Sequence, residues 1–320
     1  MLRAVLRERL PGYVVQALLA ALVAWLLWAA VANFRANMHA LGVSVGFGFL
    51  HAQAGFQIAQ SLVPFGPASS YLDAVIAAAL NTLLVVLLAS VLSTIIALLV
   101  AFGRLAPHGI VRSASTVYVE VFRNIPLLLQ ILFWYFSAIA LLPGVADSLQ
   151  FGGVLLNNRG LFLPLGADRP HVEGFDVAGG IAILPELMAL TLGLAIYNST
   201  FLAEIFRAGI VSVPSGQIEA ATTVGLSGTR AALLIVMPQA LRVALPAAGG
   251  QYQTLAKASS LAAAIGYPDI MQIVGGTIAS QTSQALEAMA LVVVLYAAIN
   301  LCIALVAGIA NRRVLARPQA

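Results

Sequence analysis

Glu204 stands inside an apolar stretch, and Tyr197, Thr200 and Phe201 precede it at the i, i+3, i+4 and i+7 intervals that put all four on one helix face. An unpaired carboxylate in hydrocarbon costs at least about 2.5 kcal/mol, so such a group is kept for pairing or for function. Two readings stand side by side. Glu204 would receive an ammonium group, with Tyr197 or Thr200 offering hydroxyls, or it would pair with Arg207 one turn further on. Gln130 faces a similar choice between lining a pathway and hydrogen-bonding across helices. Lys257, the chain's lone lysine, is followed by Ser259 and Ser260, and these would either meet a carboxylate or serve the structure.

Other chemistries lack their residues. His39, His51, His108 and His171 stand far apart without metal-ligand spacing, and no Ser/His/Asp or Cys/His arrangement supports nucleophilic catalysis. The expected sets of catalytic residues and of metal ligands are therefore both empty. There is no Gly-x-x-x-x-Gly-Lys-Ser/Thr loop, so the chain lacks the usual cradle for ATP. Cys302 has no second cysteine to pair with and reads as a small apolar residue. Asn198-Ser199-Thr200 is a formal glycosylation sequon, but it falls inside an apolar stretch.

A second group of residues points to contact with a partner. Gln217, Glu219, Ala220, Ala221 and Gly225 belong to a short helix-forming segment between two long apolar stretches. Pro214 and Gly216 end the stretch before it, Glu219 to Ala221 suit a helix start, and Gly225 fits the position just past a helix end. The expected product is a short helix across a membrane face. The small Ala220 and Ala221 would let a partner approach closely.

The elements that must position these residues follow from composition. Hydrophobic residues make up 61% of 320 and charged residues 9%. Mean hydropathy is +0.97, too high for a soluble domain of this size. Apolar stretches long enough to span run from Val14 to Ala32, Ala74 to Phe102, Pro126 to Leu142, Ile181 to Phe206 and Ala288 to Ala310. A sixth, Ala231 to Ala256, is expected to be broken by Pro238, Pro246 and the Gly249-Gly250 pair. Such a break suits a helix beside a pathway, since freed backbone groups need protein or water. The fold class is all-α and integral to a membrane, with both termini cytosolic. Arg3, Arg7, Arg9, Arg104, Arg112, Arg123, Arg207, Arg230, Arg242, Arg312, Arg313 and Arg317 fall on the proposed inner side, against Arg35, Arg159 and Arg169 outside. The net charge of +4 thus reports orientation in lipid and asks for no nucleic acid. The first stretch is too long for a signal peptide and reads as an uncleaved anchor. The outer segments, about 37–70 and 143–180, carry Phe47, Phe49, Phe56, Phe65, Phe151, Phe162 and Phe175, expected on the membrane surface or against helix ends. The absence of a visible internal repeat counts against a self-contained secondary transporter. The division expected is a tail, anchor and outer segment over 1–70, a core over 71–313 with a cytosolic loop at about 212–230, and a tail over 314–320.

Glu219-Ala220-Ala221, Gly225, Ile235 and Pro238, in that spacing, resemble the coupling loop of ABC-importer permeases. With Asn124 to Gln130 and Tyr197 to Arg207, the chain resembles their polar amino-acid branch over most of 74–313. Gly46 to Leu50, Ala54-Gly55-Phe56, Pro64 and Asn81-Thr82 are similar to the larger permease subunit of general L-amino-acid importers. Met237 departs from the pattern, which usually has Leu there, by a volume-conserving swap. The resemblance implies a type I importer transmembrane domain: a five-span core plus one N-terminal span in the bacterial inner membrane. It implies a second permease subunit, two ATPase subunits that carry ATP and Mg, and a periplasmic amino-acid-binding protein. Alternating access would then move L-amino acids inward, with Gln217 to Gly225 as the ATPase contact. An ATP-independent transporter or channel subunit remains the alternative.

Overall fold

The computed structural model describes residues 2–40, 46–165 and 168–315, without the side chains of 2–12, 27, 34, 35, 38, 39 and 315. The orientation reading for Arg3, Arg7, Arg9, Arg35 and Arg317 lies outside what is described. Five helices are long and apolar enough to cross a membrane, and six if one bent pair counts as a single span. The first, α1 (Leu2–Ala40), contains the apolar stretch Tyr13–Asn33, whose described side chains are mostly exposed.

α2 (Tyr71–Leu105) opens on a capping box, with Ser70 and Asp73 each accepting from the other's backbone N–H. It ends before Pro107, where the preceding residue is pushed out of the helical region. α3 (Gly109–Asn124) and α4 (Leu127–Leu141) meet at an angle of 100°. Ile125 adopts the extended conformation that Pro126 demands of its predecessor. The carbonyls freed at that bend are received by Gln130, whose Nε2 donates to Phe122 O (2.8 Å) and Ile125 O (3.0 Å).

Between α4 and the next span lies β structure that the apolar pattern did not announce. Strands β1 (Leu149–Phe151), β2 (Val154–Asn157), β3 (Gly160–Leu163) and β6 (Ile181–Ile183) form an antiparallel sheet in that order, while β4 (His171–Glu173) and β5 (Asp176–Ala178) pair separately. Ile181 does not begin a span. It pairs with Leu163, and α5 runs instead over Pro185–Val211, with Pro185 at its first turn. Three β-branched or small apolar residues beside a sheet edge read equally well as a helix start when only hydropathy is consulted. The phenylalanines divide: Phe49 and Phe162 are buried, and Phe56 and Phe65 pack partly buried with Tyr71, whereas Phe151 and Phe175 are exposed.

After α5 come α6 (Ser215–Thr223), α7 (Gly228–Ala231), a π-helical stretch Ala232–Val236, and α8 (Met237–Ala258). α8 corrects the expected break. It is continuous through Pro246 and Gly249-Gly250, and the irregularity sits ahead of Pro238, which falls at the helix start where no N–H is needed. A 3₁₀ stretch Ser259–Ile265, a left-handed Gly266, a π-helical stretch Met271–Ile278 and α9 (Ala279–Thr282) lead to α10 (Ala285–Leu315).

The spans approach through small residues. A Cβ on Gly209 of α5 would lie 2.7 Å from Ala240 O of α8, and one on Gly193 would lie 2.8 Å from Ile131 of α4. Lipid supplies no hydrophobic drive between helices, so close van der Waals packing of this kind must hold them. The irregular backbone after α8 is held by side chains of α2. Asn81 Nδ2 donates to Gln60 O (2.7 Å) and Pro268 O (3.0 Å), Thr82 Oγ1 accepts the Ile270 N–H (3.0 Å), and Tyr267 OH donates to Asn81 O (3.1 Å). Asp269, 1% exposed, accepts from Gln272 N and from Tyr296 OH of α10, both at 2.8 Å.

Replacing Asn81 with Leu would leave the buried Pro268 carbonyl and the half-buried Gln60 carbonyl without this donor and is expected to cost about 2 kcal/mol. Thermal unfolding in detergent measures this, and an unchanged midpoint would show that the clasp contributes nothing.

Candidate functional site

Glu204 has two cationic partners. Its carboxylate accepts from Arg207 one turn along α5 and from Arg104 near the end of α2, which sequence spacing did not reveal. The three side chains are 17–35% exposed, so solvent moderates the attraction. An ammonium reaching Glu204 must displace a guanidinium. Beside this cluster, Arg123 of α3 lies 4.9 Å from the centre of the Phe201 ring and donates to Thr200 O at 2.8 Å. The rings of Tyr197 and Phe201 pack at a tilt of 58° with centroids 5.1 Å apart.

Thr200 is fully buried and its hydroxyl donates to Tyr197 O (2.7 Å), so the expected face is shared in register but not in exposure. Gln130 is brought close to neither Tyr197 nor Glu204 by its hydrogen bonds; these close the α3–α4 bend. Asn198, singled out in the sequence only as a sequon, is the centre of a buried polar ladder. It donates to Ser93 Oγ of α2 (3.1 Å) and accepts from Gln251 Nε2 of α8 (2.9 Å). Thr94 and Tyr252 add a second link at 2.6 Å. The signal available beforehand was three consecutive polar residues in an apolar stretch.

α8 shows a different open face from its neighbours. Its exposed positions are Val243, Pro246, Ala247, Gly250, Thr254 and Lys257, all at helical spacing on one side. The exposed positions of α2 are instead large and apolar, among them Leu83, Leu87, Val91, Ile95 and Leu99. Lipid suits the second pattern and has nothing to offer the first. That contrast favours the expected placement of this span beside a pathway or a subunit.

The segment from Pro214 to Gly225 forms α6, which begins at Ser215, a turn earlier than expected, and leaves Glu219 in mid-helix. Gln217, Glu219 and Ala220 are exposed, whereas Ala221 is buried. Only Ala220 of the alanine pair is open to a partner. The helix ends in a Schellman turn, Leu226 N–H to Ala221 O and Gly225 N–H to Thr222 O, both at 3.0 Å, with Gly225 at φ +82°. Here a Cβ meets no neighbour, so the requirement for glycine is conformational rather than steric.

An apolar helical core, a short exposed helix between two of its spans and a polar seam across the spans define a multi-pass membrane transport component. Residues 93–316 match the family described as binding-protein-dependent transport system inner membrane component, and the chain belongs to that family. It is 36% identical to the putative amino-acid ABC transporter permease protein YhdX of Escherichia coli (strain K12), across 92% of this chain and 90% of that one. It is 34% identical to the general L-amino acid transport system permease protein AapQ of Rhizobium johnstonii, across 86% and 85%. A crystal structure of an amino acid ABC transporter with histidines superposes with a TM-score of 0.57 at 25% identity, covering 76% of this chain and 95% of that one. The methionine transporter MetNI, at 18% identity and a TM-score of 0.53, shares the fold.

Glu204→Gln is expected to lower the unfolding midpoint by leaving two guanidiniums without a counter-charge. A double-mutant cycle with Arg104→Gln should give a coupling of about 1 kcal/mol. Additive effects would show that the two side chains do not interact in the protein.

Proposed function

We propose that the chain is the permease subunit of an ATP-driven importer of L-amino acids, working with a periplasmic binding protein, a second permease subunit and two ATPase subunits. ATP and Mg would reside on those ATPases, since the sequence has no phosphate loop of its own. The observation that carries the reading is α6: a capped helix with exposed Gln217, Glu219 and Ala220, inside a chain of this family. The coverage of the amino-acid permease relatives along nearly the whole chain supports the cargo class.

In this reading α6 fits a cleft on the ATPase, and the Schellman turn transmits its movement. Leu226 and Gly225 are tied to α6 by two backbone hydrogen bonds, and α7 and the π-helical stretch join that turn to α8. Displacement of α6 would thus be carried into the helix whose open face is small and polar. ATP binding shifts such an equilibrium only through contacts that differ between the two states. Tyr197, Thr200, Glu204 and Gln130 take positioning roles under this reading, with Glu204 joining α2 to α5 near the α6 end.

Gly225→Leu places a branched side chain at φ +82° and should distort the turn. Uptake by the reconstituted complex is expected to fall below about a tenth, while the ATPase subunits still co-purify. Normal uptake would exclude this turn as the coupling element, and purification of an active transporter without any ATPase would exclude the importer reading.

A further inference from the structure

We infer that α3 is a membrane-surface helix, lying flat at the end of the bundle that carries Arg104, Glu204 and Arg207, with Ile110, Ala114, Val117 and Val121 seated in the phospholipid leaflet. This needs only a chain of the membrane family above and does not depend on the import reading. The four residues follow at i, i+4, i+7 and i+11, which is one face of a helix. All are exposed, Ile110 at 87% and Val117 at 58%. Val119, on the opposite side of the helix, is 1% exposed and faces the bundle. Ser113, Glu120 and Asn124 are exposed on a third side, which is polar. The surface left over from packing is thus divided into an apolar and a polar part, as suits a helix at the boundary of hydrocarbon and water.

α3 lies across the other helices rather than along them. It meets α4 at 100°, while α4 runs along α5, from Ile131 against Gly193 to the Tyr135 hydroxyl, which donates to Glu186 at 3.3 Å. Tyr118 and Arg123 stand five positions apart on α3 yet reach neighbouring residues of α5. Tyr118 OH shares a hydrogen bond with Ser199 Oγ, and Arg123 donates to Thr200 O, both at 2.8 Å. A helix alongside α5 would spread those contacts over more than a turn. Length points the same way. The 15 residues of α4 rise about 22 Å, against a hydrocarbon core of about 30 Å. The shortfall is close to the thickness of one helix on its side, about 10 Å. α3 therefore completes the crossing by its width.

Its neighbours show what covers the apolar stripe. Gly103 of α2, which has no room for a Cβ, takes Ser115 of α3 against it. The exposed Val91, Ile95, Leu99 and Phe102 of α2 form a line that leads to this crossing. Acyl chains suit that line, and the α3 stripe continues it. The polar side of α3 named above has no basic residue, so the seat rests on apolar burial and asks for no anionic headgroup.

The test places one nitroxide at a time on α3, in a complex with Cys302→Ser and otherwise cysteine-free subunits, in phosphatidylcholine nanodiscs. Collisions with oxygen, which concentrates in lipid, and with a water-soluble nickel chelate are measured by power saturation. Labels at Ile110, Ala114, Val117 and Val121 should favour oxygen at one common depth, about 5–10 Å into the boundary of headgroups and acyl chains. Labels at Ser113 and Glu120 should favour the chelate. A depth that grows steadily by about 16 Å from Ile110 to Val121 makes α3 half of a span and overturns the inference. Stripe labels open to the chelate place this face in water, and labels shielded from both reagents place it against another subunit; either result overturns the inference as well.

Discussion

Backbone polar groups at membrane depth must be paired within the protein, and this constraint governs the chain after α8, from the 3₁₀ turns that begin at Ser259 to the irregular backbone at Pro268. The solution is a clasp from α2. Asn81 and Thr82, both fully buried, supply the donors and the acceptor that Pro268 and Ile270 lack, and Tyr267 and Asp269 complete the set through Asn81 O and Tyr296. The clasp joins the first core span, the end of α8 and α10 at one level. It lets α8 end in an irregular segment and still meet α10 along its length.

Lower in the bundle the same problem is met with side chains of neutral polarity. Ser93, Asn198 and Gln251 link three spans through hydrogen bonds, and Gly209 lets α5 lie close against α8, while Gly193 and Gly249 do the same for α5 against α4 and α8 against α10. Among the described residues an ion-paired cluster of charge forms where α2 and α5 end, the Arg104, Glu204 and Arg207 group. Lys257 lies apart from that group, in the last turn of α8. The molecule thus separates three tasks by depth: a capped exposed helix at one end, a charged clamp beside it, and a polar seam with an open small-residue face between.

Much of this was legible from residue types. The apolar stretches located the long helices, and the Gln217 to Gly225 segment announced an exposed helix with a glycine turn, but Pro126 was read only as the start of a span, and α3 with its bend into α4 was not foreseen. Prolines and glycines were less informative in α8, because Pro238 falls where a helix needs no donor and Pro246 sits on the exposed face of a helix that continues through it. Ile181 to Ile183 misled for a related reason. Hydropathy records that a residue avoids water, and a sheet edge satisfies that as well as a bilayer does.

The sequence by itself determined that the chain lives in a membrane, where its helices lie, which family motifs it carries and that it has no phosphate loop, because composition and local spacing decide those matters. The tertiary structure alone decided which polar groups meet: Arg104 with Glu204 across 100 residues, Asn198 with Ser93 and Gln251, Asn81 with Pro268, and nothing described with Lys257. Buried polar groups must find partners, but the partner is set by helix crossing and depth, and neither is written in a local pattern.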